Sequence, residues 1–293
     1  MMTGRILKSS GGFFYVECEN KIYICRGRGL FRKDEIVLSV GDVVDFNVDN
    51  NLSGSIINIH KRKNHLIRPF ISNLDLLLIV ISASNPQPNL FNVDKLTSIA
   101  IYKNIEPVII INKIDVMKDK QLKKIYESAK LKVFEISSIT KEGIDELNCY
   151  LIGKLSAFAG VSGVGKSSLL NAIDSNNKIQ VGDLSKKHGR GKHTTRHIEI
   201  FKTSLGALIA DTPGFSDIET LSYEIILKNY LQNTFLEFED YMLKCKYTGC
   251  SHTVEKGCKI IEAVNSNIIS KSRHISYCRM YNEAKNIKEW EIK

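Results

Sequence analysis

The stretch AGVSGVGKSSLLNAI, residues 159–173, leaves the chain little choice of local architecture. Gly160, Gly163 and Gly165 let the backbone curl until several N–H groups face inward, and Lys166 and Ser167 follow at the spacing G-x-x-x-x-G-K-S. Such a loop works only between a buried strand and a helix, because the unpaired N–H groups of the first helical turn complete the ring of donors. The flanks comply: LSAFA reads as a strand and SSLLNAI as a helix. The pattern predicts a cradle for nucleotide phosphates formed by Gly160, Val161, Ser162, Gly163, Val164, Gly165, Lys166, Ser167 and Ser168. Within it Lys166 reaches the β- and γ-phosphates and the Ser167 hydroxyl binds Mg²⁺.

The rest of the middle region supplies the sheet that such a loop needs. LDLLLIVIS, PVIIINK, KVFEIS, HIEIFK and GALIADTPG read as further strands. Helical stretches alternate with most of them: Val93 to Lys103, QLKKIYESAKL and EGIDELNCYL. Strands apolar on both faces and separated by helices predict a mostly parallel α/β sheet covered on both sides. The first 66 or so residues differ. GGFFYVEC, KIYICR, DVVDFNV and GSIINIHKR are β-branched and aromatic runs broken by Gly, Asn and Asp, which fits a small β-barrel such as an OB-fold. Such barrels bind single-stranded nucleic acid with aromatic and basic side chains. Arg26, Arg28, Arg32, Lys33, Lys61, Arg62 and Lys63 flank these strands, while each of Phe13, Phe14, Tyr15 and Tyr23 reads more readily as barrel core than as a base-stacking group. Beyond about Asp217 the chain turns helical and basic. The expected division is an OB-fold RNA-binding domain over 1–67, an α/β P-loop domain over 68–217 and a helical domain over 218–293.

Three short motifs specify the nucleotide. NKID, residues 112–115, ends a buried strand. Asp115 can accept hydrogen bonds from guanine N1–H and its 2-amino group, which adenine does not present; Asn112 meets the base edge and the Lys113 stem covers the ring. Ser137 and Ser138 of EISS follow another strand and offer backbone groups that close over the base. DTPG, residues 211–214, ends the strand GALIA; Asp211 is placed to act on Mg²⁺ through water, and the Gly214 N–H to meet the γ-phosphate. Between phosphate loop and DTPG lies SKKHGRGKHTTRH, where Thr195, or Thr194 beside it, completes the Mg²⁺ shell. The basic residues of that segment read either as a solvated charge run or as contacts to RNA phosphates. Phe215 follows Gly214 and can neither donate nor accept a hydrogen bond, so water must be oriented by another group. His193 is the candidate, with an RNA-contacting histidine as the alternative.

The motif order is base, base, phosphate, switch I, switch II, whereas a common GTPase begins with the phosphate loop. One cut and one rejoining interconvert the two, and a parallel sheet tolerates this because domain termini are often close. Switch II then leads almost directly into the C-terminal region, so a nucleotide-dependent shift near Gly214 is expected to move that region as a lever, giving GTP and GDP forms different affinities for the partner.

Cys245-x₄-Cys250-x-His252-x₅-Cys258 offers three thiolates and an imidazole from one short loop, a donor set that suits tetrahedral Zn²⁺. No open position is evident, so the expected ion is structural, one per chain, and organises a unit too small to bury much core alone. His274 is the alternative fourth ligand. Cys18, Cys25, Cys149 and Cys278 read as core.

With 43% hydrophobic residues a packed core is within reach, and no apolar run is long enough to span a bilayer. No secretory leader is visible, and the clustered cysteines point to metal in a reducing compartment, so the cytoplasm is the expected location. The formal charge of +9 suggests a polyanionic partner. Nothing demands an oligomer, so a monomer is expected.

NKID, GVSGVGKSSLLNAI, GRGKHTTR, DTPGF and the cysteine cluster together resemble the RsgA (YjeQ-like) family of circularly permuted GTPases, over nearly the whole chain. The resemblance implies a factor that binds GTP and GDP, attaches to 16S rRNA in the 30S ribosomal subunit, hydrolyses GTP faster there, and acts in late assembly of that subunit. It also implies a zinc site with this spacing. A GTP-regulated RNA-binding protein with little turnover is the alternative.

Overall fold

Strand β1 (Met2–Ser10) does two jobs, and the barrel follows from that. Its first residues pair antiparallel with β4 (Val43–Asn50) and its later ones with β2 (Phe13–Cys18), with a register shift between Ile6 and Lys8 where the strand bends. β2 pairs with β3 (Lys21–Gly27), β3 runs parallel to β5 (Ser53–Ile59), and β5 returns to β4. The order β1-β2-β3-β5-β4-β1 closes a five-stranded barrel, the expected OB-type topology. Alternate residues point inward: Ile6, Val16, Cys25, Val44, Phe46 and Ile56 are fully buried, and Tyr23 packs on Phe46 with ring centroids 5.1 Å apart. The computed structural model describes residues 1–27, 37–50, 52–174, 198–211 and 224–287.

A short hairpin, β6 (His65–Leu66) and β7 (Ile71–Ser72), leads into the central sheet. β8 (Leu76–Ser82) is buried at all seven positions. Then come α1 (Leu90–Tyr102), β9 (Glu106–Asn112), α2 (Lys120–Ser128), β10 (Lys132–Glu135), α3 (Ile144–Leu151), β11 (Leu155–Ala159), α4 (Lys166–Ile173), β12 (Glu199–Lys202) and β13 (Leu208–Asp211). The spatial order is β10-β9-β8-β11-β13-β12, parallel except for β12, which pairs antiparallel with β13. Side-chain alternation splits the core into two layers. Leu77, Ile79, Ile81, Ile109 and Ile111 face α1 and α2 through Val93, Leu96, Ile99, Leu122 and Tyr126. Leu76, Leu78, Val80, Val108 and Ile110 face α3 and α4 through Ile144, Leu147, Leu169 and Leu170. Each fully buried aliphatic side chain contributes about 1.5–3 kcal/mol, so both layers are needed to hold the sheet.

The sheet joins the barrel through β12: Lys8 of β1 pairs with Glu199 and their side chains form an ion pair at 2.8 Å, while Lys202 donates to Asn20 Oδ1 at 3.1 Å and lies 3.7 Å from Glu17. Connections from β8 run outward to β9 and β10 on one side, while β11 lies on its other side. The strand order therefore reverses between β8 and β11, and ligands of open α/β sheets bind outside the carboxyl ends of strands at such a reversal.

The C-terminal region is helical: α5 (Lys228–Leu231), two 3₁₀ turns at Gln232–Thr234 and Leu236–Phe238, α6 (Glu239–Met242), α7 (Lys259–Asn265) and α8 (Lys271–Lys285). Its small core is largely aromatic, with Phe235, Phe238 and Tyr277 at centroid separations of 4.9–5.2 Å and Cys250 and Cys258 packed beside them. No described helix is long and apolar enough to cross a membrane.

Candidate functional site

β11 ends at Ala159 and α4 begins at Lys166, so residues 160–165 form a loop on the carboxyl edge of the sheet. Gly160, Gly163 and Gly165 have φ of +140°, +84° and +97°, the region that side chains other than hydrogen resist. A Cβ on Gly160 would lie 2.4 Å from the Val80 carbonyl oxygen, and one on Gly165 would lie 2.4 Å from Asn112 Nδ2. The missing Cβ at Gly165 is thus what admits the base motif to the phosphate loop. The Lys166 ammonium folds over this loop and donates to the carbonyls of Gly160 (2.5 Å) and Val161 (3.0 Å).

β9 delivers Asn112 to the same place, and the chain turns at Lys113 with φ +68°. The Asn112 side chain is buried, and both its amide atoms are hydrogen-bonded. Nδ2 donates to the Val164 carbonyl at 3.0 Å, while Oδ1 accepts from Lys113 N (2.8 Å), Ser138 N (3.1 Å) and Ser138 Oγ (3.1 Å). Lys113 Nζ donates to the carbonyls of Gly163 (2.8 Å) and Asn85 (2.6 Å). Two adjacent side chains therefore tie together the loops that follow β8, β10 and β11. Each such bond is worth about 0.5–1.5 kcal/mol net, and leaving a buried partner orphaned costs more. Ser137 is buried, and its hydroxyl accepts from Ile139 N (3.3 Å) and Thr140 N (3.0 Å), which sets the turn carrying Ser138. Asp115 stands exposed beside this junction, and Asp211 sits half-buried at the end of β13.

A second cluster lies in the C-terminal region. One ligand atom from each of Cys245, Cys250, His252 and Cys258 falls within 4.8 Å of the others. Cys245 Sγ is 3.8 Å from Cys258 Sγ, and His252 Nδ1 is 3.6 and 3.5 Å from these two sulfurs. Zn–S bonds of about 2.3 Å and Zn–N bonds of about 2.0–2.1 Å at tetrahedral angles give S–S edges of about 3.8 Å and S–N edges of about 3.5 Å. The donor set and its spacing fit zinc. Burial pushes the Cys250 thiol up to about 12 and raises Cys258, so packed thiolates need a cation among them. Burial also lowers His252, which favours the neutral imidazole that ligates metal. Its other nitrogen, Nε2, lies 3.1 Å from Gln232 Oε1, leaving Nδ1 to the sulfurs.

The family described as RsgA GTPase matches residues 59–221, and the RsgA N-terminal domain matches residues 3–56. The small ribosomal subunit biogenesis GTPase RsgA of Caldanaerobacter subterraneus subsp. tengcongensis is 42% identical over 96% of this chain and 95% of its own length. Its counterpart from Geobacillus sp. strain WCH70 is 41% identical over 98% and 99%. Among solved structures, YjeQ from Thermotoga maritima superposes with a TM-score of 0.82 at 32% identity, covering 98% of this chain and 99% of that one. YloQ, described as a circularly permuted GTPase, gives 0.80 at 31%, covering 98% and 96%.

The chain belongs to the RsgA GTPase family.

Membership explains the motif order, since the RsgA family's permuted relatives share this fold from end to end. The structure brings the expected base-side residues Asn112, Lys113, Asp115, Ser137 and Ser138 to one edge of the sheet with the loop 160–168 and Asp211. His193, Thr194, Thr195, Gly214 and Phe215 lie outside the described residues, as do Arg28, Arg32 and Lys33. His274 is not in the ligand cluster: its Nε2 lies 2.7 Å from the His252 carbonyl oxygen, a supporting contact. Cys18 and Cys25 are buried as expected, but Cys149 is exposed. α3 buries Ile144, Leu147 and Leu151, and Cys149 falls on the opposite face. Arg62 and Lys63 of the barrel edge are engaged in structure, Arg62 on Asp42 at 2.7 and 2.8 Å and Lys63 on Asp75, whereas Arg26 lies over the Phe13 ring at 4.7 Å.

Sequence reasoning missed three supports. Asn85 acts through its backbone carbonyl, which no side-chain pattern reveals. Gln232 is distant in sequence from the ligand it holds. Glu255 lies inside the ligand loop and accepts from the N–H groups of Ser251, Thr253 and Val254. Burial raises its carboxyl, but the hydrogen bonds outweigh this and hold it down at about 2. An acid between metal ligands was the available signal.

Proposed function

We propose that this chain hydrolyses GTP while bound to the small ribosomal subunit, that the subunit accelerates the reaction, and that the cycle serves late assembly of that subunit. The observation that carries the nucleotide half of this reading is the pair of bonds from Asn112 to Val164 and from Lys113 to Gly163, which put a guanine-type motif and a phosphate loop in one mouth. The relatives named small ribosomal subunit biogenesis GTPase, matched over nearly the full chain, support the other half.

In this reading Asp115 accepts from guanine N1–H and the 2-amino group, Ser137 and Ser138 present the loop that closes over the base, and Asn112 and Lys113 fix the base loop to the phosphate loop. The inward N–H groups of residues 160–168 take the phosphates, and Lys166 moves from its carbonyl contacts to the β- and γ-oxygens. Ser167 and Thr195 hold Mg²⁺, with Asp211 acting through water. Water attacks the γ-phosphorus, the bond to the β–γ bridging oxygen breaks, and GDP and phosphate leave. Gly214 donates its N–H to the γ-phosphate, and His193 orients the water, since Phe215 has no hydrogen-bonding group. The four-ligand cluster holds one structural zinc. The chain works as a monomer in the cytoplasm, divided functionally as 1–67, 68–217 and 218–293.

Phosphate release measured alone and with purified 30S, 50S and 70S particles, with GTP and ATP, tests the reading. Slow GTP turnover raised selectively by 30S, with ATP inert, is expected. Equal use of ATP, or turnover indifferent to 30S, refutes it. His193→Ala that keeps full stimulated turnover removes His193 from the mechanism.

A further inference from the structure

The largest fully buried side chain in the described structure is a charged one. Arg273 of α8 is 0% exposed. Its Nε and Nη2 donate to the two oxygens of Glu237 at 2.8 and 3.2 Å, and Nη1 donates to Asp94 Oδ1 at 2.9 Å and to Thr97 Oγ1 at 3.1 Å. Its guanidinium also lies over the Phe235 ring at 4.5 Å. Glu237 and Phe235 belong to the C-terminal region, whereas Asp94 and Thr97 lie on α1 of the GTP-binding sheet domain. Hydrophobic side chains of similar volume hold helices together at least as well as a buried ion cluster, so raw stability does not explain this one.

Other contacts follow the same axis. Arg279 of α8 lies over Phe91 of α1 at 3.7 Å. At the far end of α1, Lys103 pairs with the buried Glu224 at 2.6 Å, and Glu224 accepts from Ile67 N at 2.8 Å. On its other flank, α1 meets the phosphate loop: Asn89, Asn92, Val93 and Leu96 line one cleft with Gly160, Val161 and Val164. The C-terminal unit is therefore not hung from the residues after switch II alone, as a free lever would be. A swing of that unit against α1 would pull apart a buried charge cluster.

We propose that α1 is the element through which the zinc-bearing unit senses the nucleotide, and that the Asp94–Arg273 contact is the coupling bond. Bound phosphates fix the loop at Gly160 and Val161, α1 shifts with it, and α8 and the ligand loop follow as one body. The inference rests on the reading that GTP and GDP bind at the phosphate loop. Asp94 is a positioning residue here and touches no nucleotide.

Charge counting supplies a clean variant. The cluster holds one cation and two carboxylates. Asp94→Leu removes the ion pair across the two units, leaves the weaker Thr97 bond, and keeps Arg273 paired with Glu237 inside the C-terminal unit, so no charge is stranded. Asp94→Asn keeps an acceptor for Nη1. Hydrogen exchange of the α8 amides is compared between the GDP form and a form with a non-hydrolysable GTP analogue, with nucleotide affinity, zinc content and melting temperature followed in parallel. In the parent protein, exchange over 271–285 is expected to differ between the two nucleotides by about 5-fold or more, the low end of usual coupling. Asp94→Leu should reduce that ratio to about 1 with nucleotide affinity and zinc retained, and Asp94→Asn should restore most of it. An undiminished ratio in Asp94→Leu overturns the proposal. So does equal loss in both variants, or loss accompanied by zinc release, because either assigns Asp94 a purely structural role. A parent protein whose α8 exchange ignores the nucleotide overturns the coupling, and a parent that binds neither nucleotide refutes the functional reading on which it rests.

Discussion

Asn112→Ala separates two roles that the base motif combines. If Asn112 serves only to read guanine, its loss weakens GTP binding and leaves the empty protein untouched. The geometry says otherwise. Truncation strands the Val164 carbonyl and the N–H groups of Lys113 and Ser138, which the Asn112 amide meets at 3.0, 2.8 and 3.1 Å. A fully buried orphan costs about 1–3 kcal/mol; Lys113 and Ser138 are half-buried and water reaches them in part, so about 3 kcal/mol in total is the working figure. For a domain of this size that corresponds to a fall in melting temperature of about 6–12 °C. The assay is thermal unfolding without nucleotide, repeated with saturating GDP. Asp115→Ala is the control, because its exposed carboxylate should leave the nucleotide-free melting point within about 2 °C, the range that surface changes of about 0.5 kcal/mol produce. An Asn112→Ala protein that melts with the parent in the absence of nucleotide refutes the bridging argument.

Asp115→Asn should weaken GTP by about 2–3 kcal/mol and gain xanthosine triphosphate, whose 2-oxo group accepts where guanine donates; unchanged base preference in competition binding would sink this role for Asp115. Cys258→Ser should abolish retention of the single zinc and unfold α7 and its neighbours, read by elemental analysis and proteolysis; full zinc content would disprove the ligand set. Asp45 accepts from Asn58, His60 and Thr3 and is held at about 2. A depressed carboxylate stabilises above its unfolded value of about 4 and loses that contribution as pH falls towards 2, so the barrel should weaken across that window. Asp45→Asn should flatten this acid limb in pH-dependent unfolding, and an unaltered limb would exclude Asp45 as its source.

The sheet was legible because LLLIVI within the first strand and VIII within the second are unbroken apolar runs, as strands covered on both faces must be. The phosphate loop and the ligand loop were legible because backbone curl and tetrahedral coordination demand fixed residue types at short spacing. α1 was expected from Val93, yet it starts at Leu90, because Asn89 caps it by accepting from Asn92 N and Leu90 packs on the core. The Arg273 cluster was invisible for a different reason. Asp94, Glu237 and Arg273 are scattered along the chain, each reads as a surface charge, and only tertiary packing turns them inward. Asn112 was read for the base alone, since a residue's second task, bonding a loop that comes later in sequence, leaves no local trace.

The pairing of Lys8 with Glu199 has a further consequence. A flat row of unsatisfied amides and carbonyls at the rim of a sheet invites any passing chain to add itself as an extra strand. Here one rim, β12, ends against the closed barrel, which has no rim of its own, and the other is β10, only four residues long and flanked by Lys132 and the Lys123–Glu135 pair. The join between two domains thus also protects the chain from sticking to its own copies.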